Sequence, residues 1–442
     1  MGEGERNNID SLSRLREEAE TLDAQDELAA FRSEFYIPSG VIYLDGNSLG
    51  LMSHAAEAAV LRVLNEWKRF GVGGWSDASP PWFNLAEELA KQVAILVGTE
   101  PDETIVANST TVNLHQLLAT LLCPDNPCIS DARDTILTDC FAFPSDAYAI
   151  DSYIRLTNAG GRKPQLRRIS VPSTDGYLLE EDLIIESMTP DVWIILLPSV
   201  VYTSGQLLDM RGLTFEAHRR GILIGFDCSH SIGCVPHRLS EWGVDFAIWC
   251  SYKYLNGGPG ATGGLYLNRR HIGLAPGLAG WFSSRKENQL AMLPTLSRAQ
   301  SAGAMQIGTP NILSMAPLCG TLDLIHSAGP ERIRRKSEAL TDYLARLANA
   351  HLVKFGFRVI TPPEANRRGG HIALAHPEAI RVCKALRDRG VIPDYRPPDI
   401  VRFAPVPLYT SFAECCAAVE ALREIMESDI HLNYPEERPL IP

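Results

Sequence analysis

No stretch of this chain approaches the roughly 18 uninterrupted apolar residues that a membrane-spanning helix needs, so no membrane association is expected. Positive charge is in deficit. Lys and Arg number 41 against 53 Asp and Glu, a net charge of −12, which argues against nucleic acid or an anionic membrane as a main partner. The ten cysteines form no C-x-x-C pair and no Cys/His cluster at zinc-like spacing. The usual thiol-redox and structural-metal signatures are therefore missing, and no metal site is expected. Cys250 and Cys383 lie in apolar runs and read as small buried hydrophobes, while Cys415-Cys416 reads as helix packing. Internal repeats and low-complexity tracts are absent too. The segment from Met1 to Asp26 is acidic and polar, unlike a secretory or transit peptide. A reduced, cytoplasmic protein is the expectation.

What is present is a chain of 442 residues, too long for one core. Short apolar runs at 104–107, 135–137, 193–197, 222–226, 246–249 and 264–267 alternate with helical stretches. Runs without polar alternation, separated by helices, predict strands buried on both faces of a mainly parallel sheet. Ligands of such α/β layers bind at the carboxyl ends of the strands. After about residue 325 the texture changes to a long amphipathic helix (331–350), strands near 358–360, 371–375 and 400–403, and helices near 377–389 and 411–427. Three parts follow: a large domain over 53–325, a smaller α/β domain over 326–442, and an N-terminal segment, 1–52, packed with the smaller one. Residues 9–35 read as a surface helix, 41–44 as a short strand, Ser53 as a helix cap, and the proline-rich C-terminal tail as loosely ordered.

The run Trp249-Cys250-Ser251-Tyr252-Lys253-Tyr254-Leu255-Asn256-Gly257-Gly258 sets a lysine between two tyrosines, after an apolar strand and before a glycine-rich turn. The preceding apolar run ends in Asp227. Pyridoxal phosphate requires these two groups: a carboxylate that keeps the pyridine nitrogen protonated, and an amine that forms a Schiff base with the aldehyde. Taken singly, each residue has a plainer reading as a solvated lysine or a helix-capping aspartate; the pair, in this order and spacing, favours the cofactor. Asn108-Ser109-Thr110-Thr111 joins a strand to a helix and offers hydroxyls and free N–H groups for a phosphate, although alone it is an ordinary N-cap. Phe143-Pro144-Ser145-Asp146 follows the next strand, with an aromatic able to lie on the pyridine face. His230, three residues after Asp227, is either near the cofactor or bonded to local backbone.

With these motifs in hand, the chain resembles the kynureninases, fold-type-I (aspartate-aminotransferase-like) pyridoxal-phosphate hydrolases. The resemblance rests on Gly46-Asn47-Ser48-Leu49-Gly50-Leu51, Thr111-Val112-Asn113-Leu114-His115, Phe143-Pro144-Ser145-Asp146, Asp227-x-x-His230, Ser251-Tyr252-Lys253-Tyr254-Leu255-Asn256, Gly280-Trp281-Phe282 and Arg402-Phe403-Ala404-Pro405-Val406-Pro407-Leu408-Tyr409. They occur in the family's order from residue 46 to 409. The lysine motif alone is shared with aminotransferases and desulfurases.

The resemblance implies pyridoxal 5'-phosphate on Lys253, Asp227 against the ring nitrogen, Thr110, Thr111 and Tyr252 around the phosphate, and Phe143 stacked on the ring. Pro144, Ser145, Asp146 and His230 would stand beside it. Trp281 and Thr309 match positions that reach the site from the neighbouring subunit of a homodimer. Arg402 would clamp the substrate α-carboxylate, a role suited to a planar, bidentate guanidinium, with Ser48 and Trp75 as further substrate contacts. Tyr252 is also implied as a proton relay. Trp75 and Thr309 stand where the animal enzymes have a histidine and an asparagine, and Gly308-Thr309 looks like the bacterial form. Pro198, beside Ser199, stands where the family can show a serine, and that contact has no assigned role.

The implied reaction is hydrolysis of the Cβ–Cγ bond of L-kynurenine to anthranilate and L-alanine. 3-Hydroxykynurenine would be the poorer substrate, and the setting tryptophan catabolism, the kynurenine pathway that also feeds NAD biosynthesis. Two rivals stand beside this. Another fold-type-I enzyme is one, but a desulfurase needs a mobile reactive thiol and the later half offers only Cys319, Cys383, Cys415 and Cys416, all in helix-like context. A catalytically inert homologue is the other, disfavoured because lysine, aspartate and arginine are all present.

Overall fold

Apolar runs too short for helices become the strands of a seven-stranded sheet: β1 (Thr104–Val106), β2 (Thr135–Asp139), β3 (Gln165–Ile169), β4 (Val192–Pro198), β5 (Leu223–Asp227), β6 (Phe246–Trp249) and β7 (Gly264–Leu267). The computed structural model describes residues 3–123, 126, 133–159, 163–171 and 176–437, so the C-terminal tail expected to be loosely ordered lies largely outside the described residues. Strand order is β1-β7-β6-β5-β4-β2-β3. From β6 through β3 all pairings are parallel, whereas β7 runs antiparallel to both β6 and β1. Ile194, Ile195, Ile224, Phe226, Phe246, Ile248 and Leu265 are fully buried, as strands covered on both faces must be. The strand β3 was not expected from sequence. It is one of the sheet's two outer strands, and its QLRRI run is mostly solvent-facing, so the apolar signal that marks its neighbours is missing.

A second core is built on a four-stranded antiparallel sheet of β8 (Arg358–Val359), β9 (Ile372–Ala375), β10 (Asp394–Arg396) and β11 (Ile400–Phe403), in the order β10-β11-β9-β8. The helices Pro330–His351 and Phe412–Glu427 cover it, burying Leu340, Leu344, Leu422 and Ile425. The first helix, Glu3–Ala24, lies on this core through Ala19, and Tyr343 donates a hydrogen bond to the Leu15 carbonyl at 2.7 Å. Residues 9–35 are thus not one helix: the chain breaks after Ala24 and resumes as the short 3-10 turn Ala29–Glu34. Ile42–Tyr43 adds a parallel ladder to Val391–Ile392.

Between the two cores, Ser53 caps the helix His54–Phe70, its Oγ accepting from the Ala56 amide at 3.0 Å. That helix packs on Ile312–Ala328 so closely that a Cβ at Gly320 would sit 2.3 Å from the Ala55 backbone. Among the described residues, no helix is long and apolar enough to cross a membrane.

Candidate active site

The site opens where parallel strands end and helices begin, the expected position for a ligand in such a sheet. A cavity of about 230 Å³ is lined at the carboxyl ends of β2, β4 and β5 by Thr138, Pro198 and Asp227, and past the end of β6 by Cys250, Tyr252 and Lys253. Thr110, Thr111, Phe143, Ser145, Asp146 and His230 complete its predicted part. Pro144 does not line it but opens the helix Pro144–Ala159 that presents Ser145 and Asp146.

Local sequence explains each placement. Ser109 caps the helix Thr110–Leu121, and Ser109, Thr110 and Thr111 at that helix start line the cavity, where free first-turn N–H groups suit an anion. Thr111 Oγ1 and Ser145 Oγ lie 2.7 Å apart, tying that helix start to the next. Asp227 ends β5 and accepts from the Ser229 amide at 2.8 Å. Asp146, buried beside it, has its carboxyl pushed well above the usual range, by burial first and then by the Asp227 charge. The neutral form of Asp146 is therefore the favoured one beside Asp227.

Lys253 follows β6 in a turn, its Nζ 2.8 Å from His230 Nε2 and 5.8 Å from the centre of the Phe143 ring. Burial, then Lys253 and Arg402, push His230 well below its ordinary value, so the imidazole is neutral; its Nδ1 is buried without a partner. Burial also pushes the Tyr252 phenol up, keeping it a proton donor.

Tyr202 also lines the cavity. Its ring meets Phe143 edge-on at 5.5 Å and lies 5.9 Å from the Arg402 guanidinium, and its carbonyl accepts from Arg402 Nη1. No motif marks it, because it stands on a loop between β4 and the helix Met210–Arg219.

Arg402 lies behind the cavity, fully buried, and is ion-paired to Asp394. Ser48 joins this group, its Oγ 3.2 Å from Arg396 Nη2. Trp75, Trp281 and Thr309 do not line this cavity. Trp75 packs on Trp82 at 6.0 Å and on Phe282 at 6.2 Å, Trp281 is 47% exposed with its indole donating to the Gln289 carbonyl, and Thr309 is exposed. The four cysteines weighed for thiol chemistry all lie on helices. Burial pushes Cys383 up to about 12 and Cys416 to about 11, and raises Cys319 and Cys415 as well.

A mainly parallel seven-stranded sheet with a cleft of this kind, joined to a small antiparallel domain, is the fold-type-I architecture of pyridoxal-phosphate enzymes. Two solved structures share the fold with TM-scores of 0.75: the cystine C–S lyase C-DES, 17% identical, covering 87% of this chain and 98% of its own, and a cysteine desulfurase from Thermococcus onnurineus, 17% identical, covering 90% and 98%. At the level of sequence, residues 333–422 match the model of the kynureninase C-terminal domain. The kynureninase of Geobacillus thermodenitrificans is 49% identical over 98% of this chain and all of its own. That of Bacillus cereus is 51% identical over 95% of this chain and 96% of its own. The chain belongs to the kynureninase family.

Proposed function

We propose that the protein binds pyridoxal 5'-phosphate at Lys253 and hydrolyses L-kynurenine to anthranilate and L-alanine, adding water across the Cβ–Cγ bond. The observation that carries this is the convergence, in one cavity, of Lys253 with His230 at 2.8 Å, the Asp146–Asp227 pair and the helix start at Thr110. Kinship at about half identity over nearly the whole chain supports the substrate.

The residues fit the group. The helix start, Thr110, Thr111 and Ser145 suit a phosphate; Phe143 suits a ring face; Asp227 suits a protonated pyridine nitrogen; and the buried, unpartnered His230 Nδ1 and Thr138 Oγ1 are polar atoms still lacking partners. When bound, the cofactor supplies an electrophilic carbon and an electron sink for negative charge at the substrate's Cα. The chain's own residues do the rest. Lys253 Nζ takes the Cα proton and returns one later, and Asp227, beside Asp146, holds the ring-nitrogen proton in place. Tyr252 donates a proton near the phosphate end. Arg402 binds the α-carboxylate, and water attacks the γ-carbonyl carbon, so the Cβ–Cγ bond breaks with anthranilate leaving.

The active form is a homodimer in which the exposed Trp281 and Thr309 serve the partner's site, Trp75 contacts the substrate ring, and the enzyme works in the cytoplasm. Mixing purified holoenzyme with L-kynurenine and following anthranilate fluorescence tests the reaction; absence of turnover sinks it. An indole face and a single short hydroxyl offer poor complements to a ring hydroxyl. Thus kcat/KM should favour kynurenine over its 3-hydroxy derivative by roughly ten- to a hundredfold. Equal values would refute the pocket reading and leave the reaction class untouched.

A further inference from the structure

Arg402 and Asp394 face each other directly across two antiparallel strands, in register on β11 and β10. Both are fully buried. One carboxylate oxygen, Asp394 Oδ2, holds Arg402 Nη2 and stands 3.2 Å from Arg396 Nε, two residues along the same strand face. From the opposite side the Tyr202 carbonyl takes Arg402 Nη1. Two anchors thus fix the guanidinium plane, yet they use two of its five N–H donors. Arg402 Nε remains buried with no partner, and so does Asp394 Oδ1.

A buried ion pair is a weak device for stability alone, since desolvating both charges consumes most of what their attraction returns. What it does well is orient. Around this point two guanidinium groups, those of Arg396 and Arg402, face one carboxylate, Asp394. Unused donors of Arg402 remain to bind a further one.

We infer that Asp394 is a positioning residue for the substrate carboxylate: with the Tyr202 carbonyl it locks the Arg402 guanidinium so that its remaining N–H donors receive one carboxylate in two-point geometry. The inference rests on the proposed role of Arg402 as the carboxylate clamp. Asp394 does not touch the reacting atoms. Its effect falls on amino-acid binding rather than on the chemical step.

The test uses the holoenzyme and L-alanine, the amino-acid product, titrated through the visible spectrum of the bound cofactor. Asp394→Asn keeps the shape and removes the charge; Asp394→Glu keeps the charge and shifts it by one methylene. Each should weaken L-alanine binding and raise the kynurenine KM by about tenfold or more, leaving kcat within about threefold and anthranilate inhibition unchanged. Arg402→Lys run alongside separates the two claims. Weakened alanine binding in Arg402→Lys with normal binding in either folded Asp394 variant overturns this inference alone. Normal binding in Arg402→Lys overturns the clamp assignment beneath it. Additive losses in the Arg402→Lys, Asp394→Asn double variant would also overturn it, since a residue acting through Arg402 must be non-additive with it. Should Asp394→Asn fail to fold, the Asp394→Glu result decides.

Discussion

The 2.8 Å contact from Lys253 Nζ to His230 Nε2 bears on what the lysine does. A neutral imidazole accepts from the amine and holds it toward the cavity without competing for charge, and Lys253 itself contributes nothing to either core. Lys253→Ala should therefore abolish the cofactor's visible absorbance and turnover while circular dichroism and melting stay close to wild type; retained turnover at the normal rate would remove the lysine from the chemistry. Asp227→Ala should keep some cofactor yet slow the reaction severely, each tenfold loss being about 1.4 kcal/mol of barrier, and Asp227→Glu should be milder. Near-normal rates for both would reduce Asp227 to a cap for the turn it starts. These residues were readable because strand ends carry them: a strand needs only an apolar run to be seen, and Asp227 and Lys253 lie at or just beyond one. Asp394 and Tyr202 were not, because their relation to Arg402 exists only through cross-strand register and a loop.

At the scale of elements, the N-terminal turn is what joins the parts. The Gly50 amide donates to the Tyr252 carbonyl at 2.8 Å, and a Cβ there would lie 2.4 Å from the Lys253 carbonyl and 2.1 Å from Asn256 Oδ1. Asn256 is itself in left-handed backbone, φ 52°, so its segment has little room to yield. On the other side a Cβ at Gly46 would lie 2.2 Å from the Val406 side chain. The turn is wedged between the lysine loop and the segment after β11, which explains its glycines by close approach rather than by flexibility. Gly50→Ala should cost about 1–3 kcal/mol, as overpacking does, and should also weaken cofactor retention because the displaced backbone carries Lys253. A lowered melting temperature with normal cofactor content would uncouple the turn from the site. The sequence marked this turn by its residues, but its partner segments lie some 200 and 360 positions downstream, and only the fold brings them together.

At the scale of the whole molecule, buried titratable groups set opposing pH dependences. His237 is fully buried outside the cavity, its Nε2 2.8 Å from Ser231 Oγ, and burial pushes it down to about 4. Unfolded, a histidine titrates near 6.5. Above that value both states are neutral and nothing depends on pH. Between about 6.5 and 4 the unfolded chain takes a proton that the folded one refuses, so the stability His237 contributes is lost as pH falls through that window. Asp139 works the other way: burial raises its carboxyl to about 6, so the folded state keeps a proton that the unfolded state has released, and stability falls as pH rises from about 4 to 6. The net slope is a contest, and single substitutions separate the contestants. His237→Gln keeps a hydrogen-bonding side chain beside Ser231 and removes the titration, so its loss of stability between pH 7 and pH 4 should be smaller than that of wild type by up to about 3 kcal/mol. Asp139→Asn should do the reverse, making the loss on acidification larger, because it removes the group that favours the folded state in acid. Urea midpoints for the holoenzyme at a series of pH values read both; a His237→Gln curve parallel to wild type would mean that the buried imidazole is free to protonate in the folded protein.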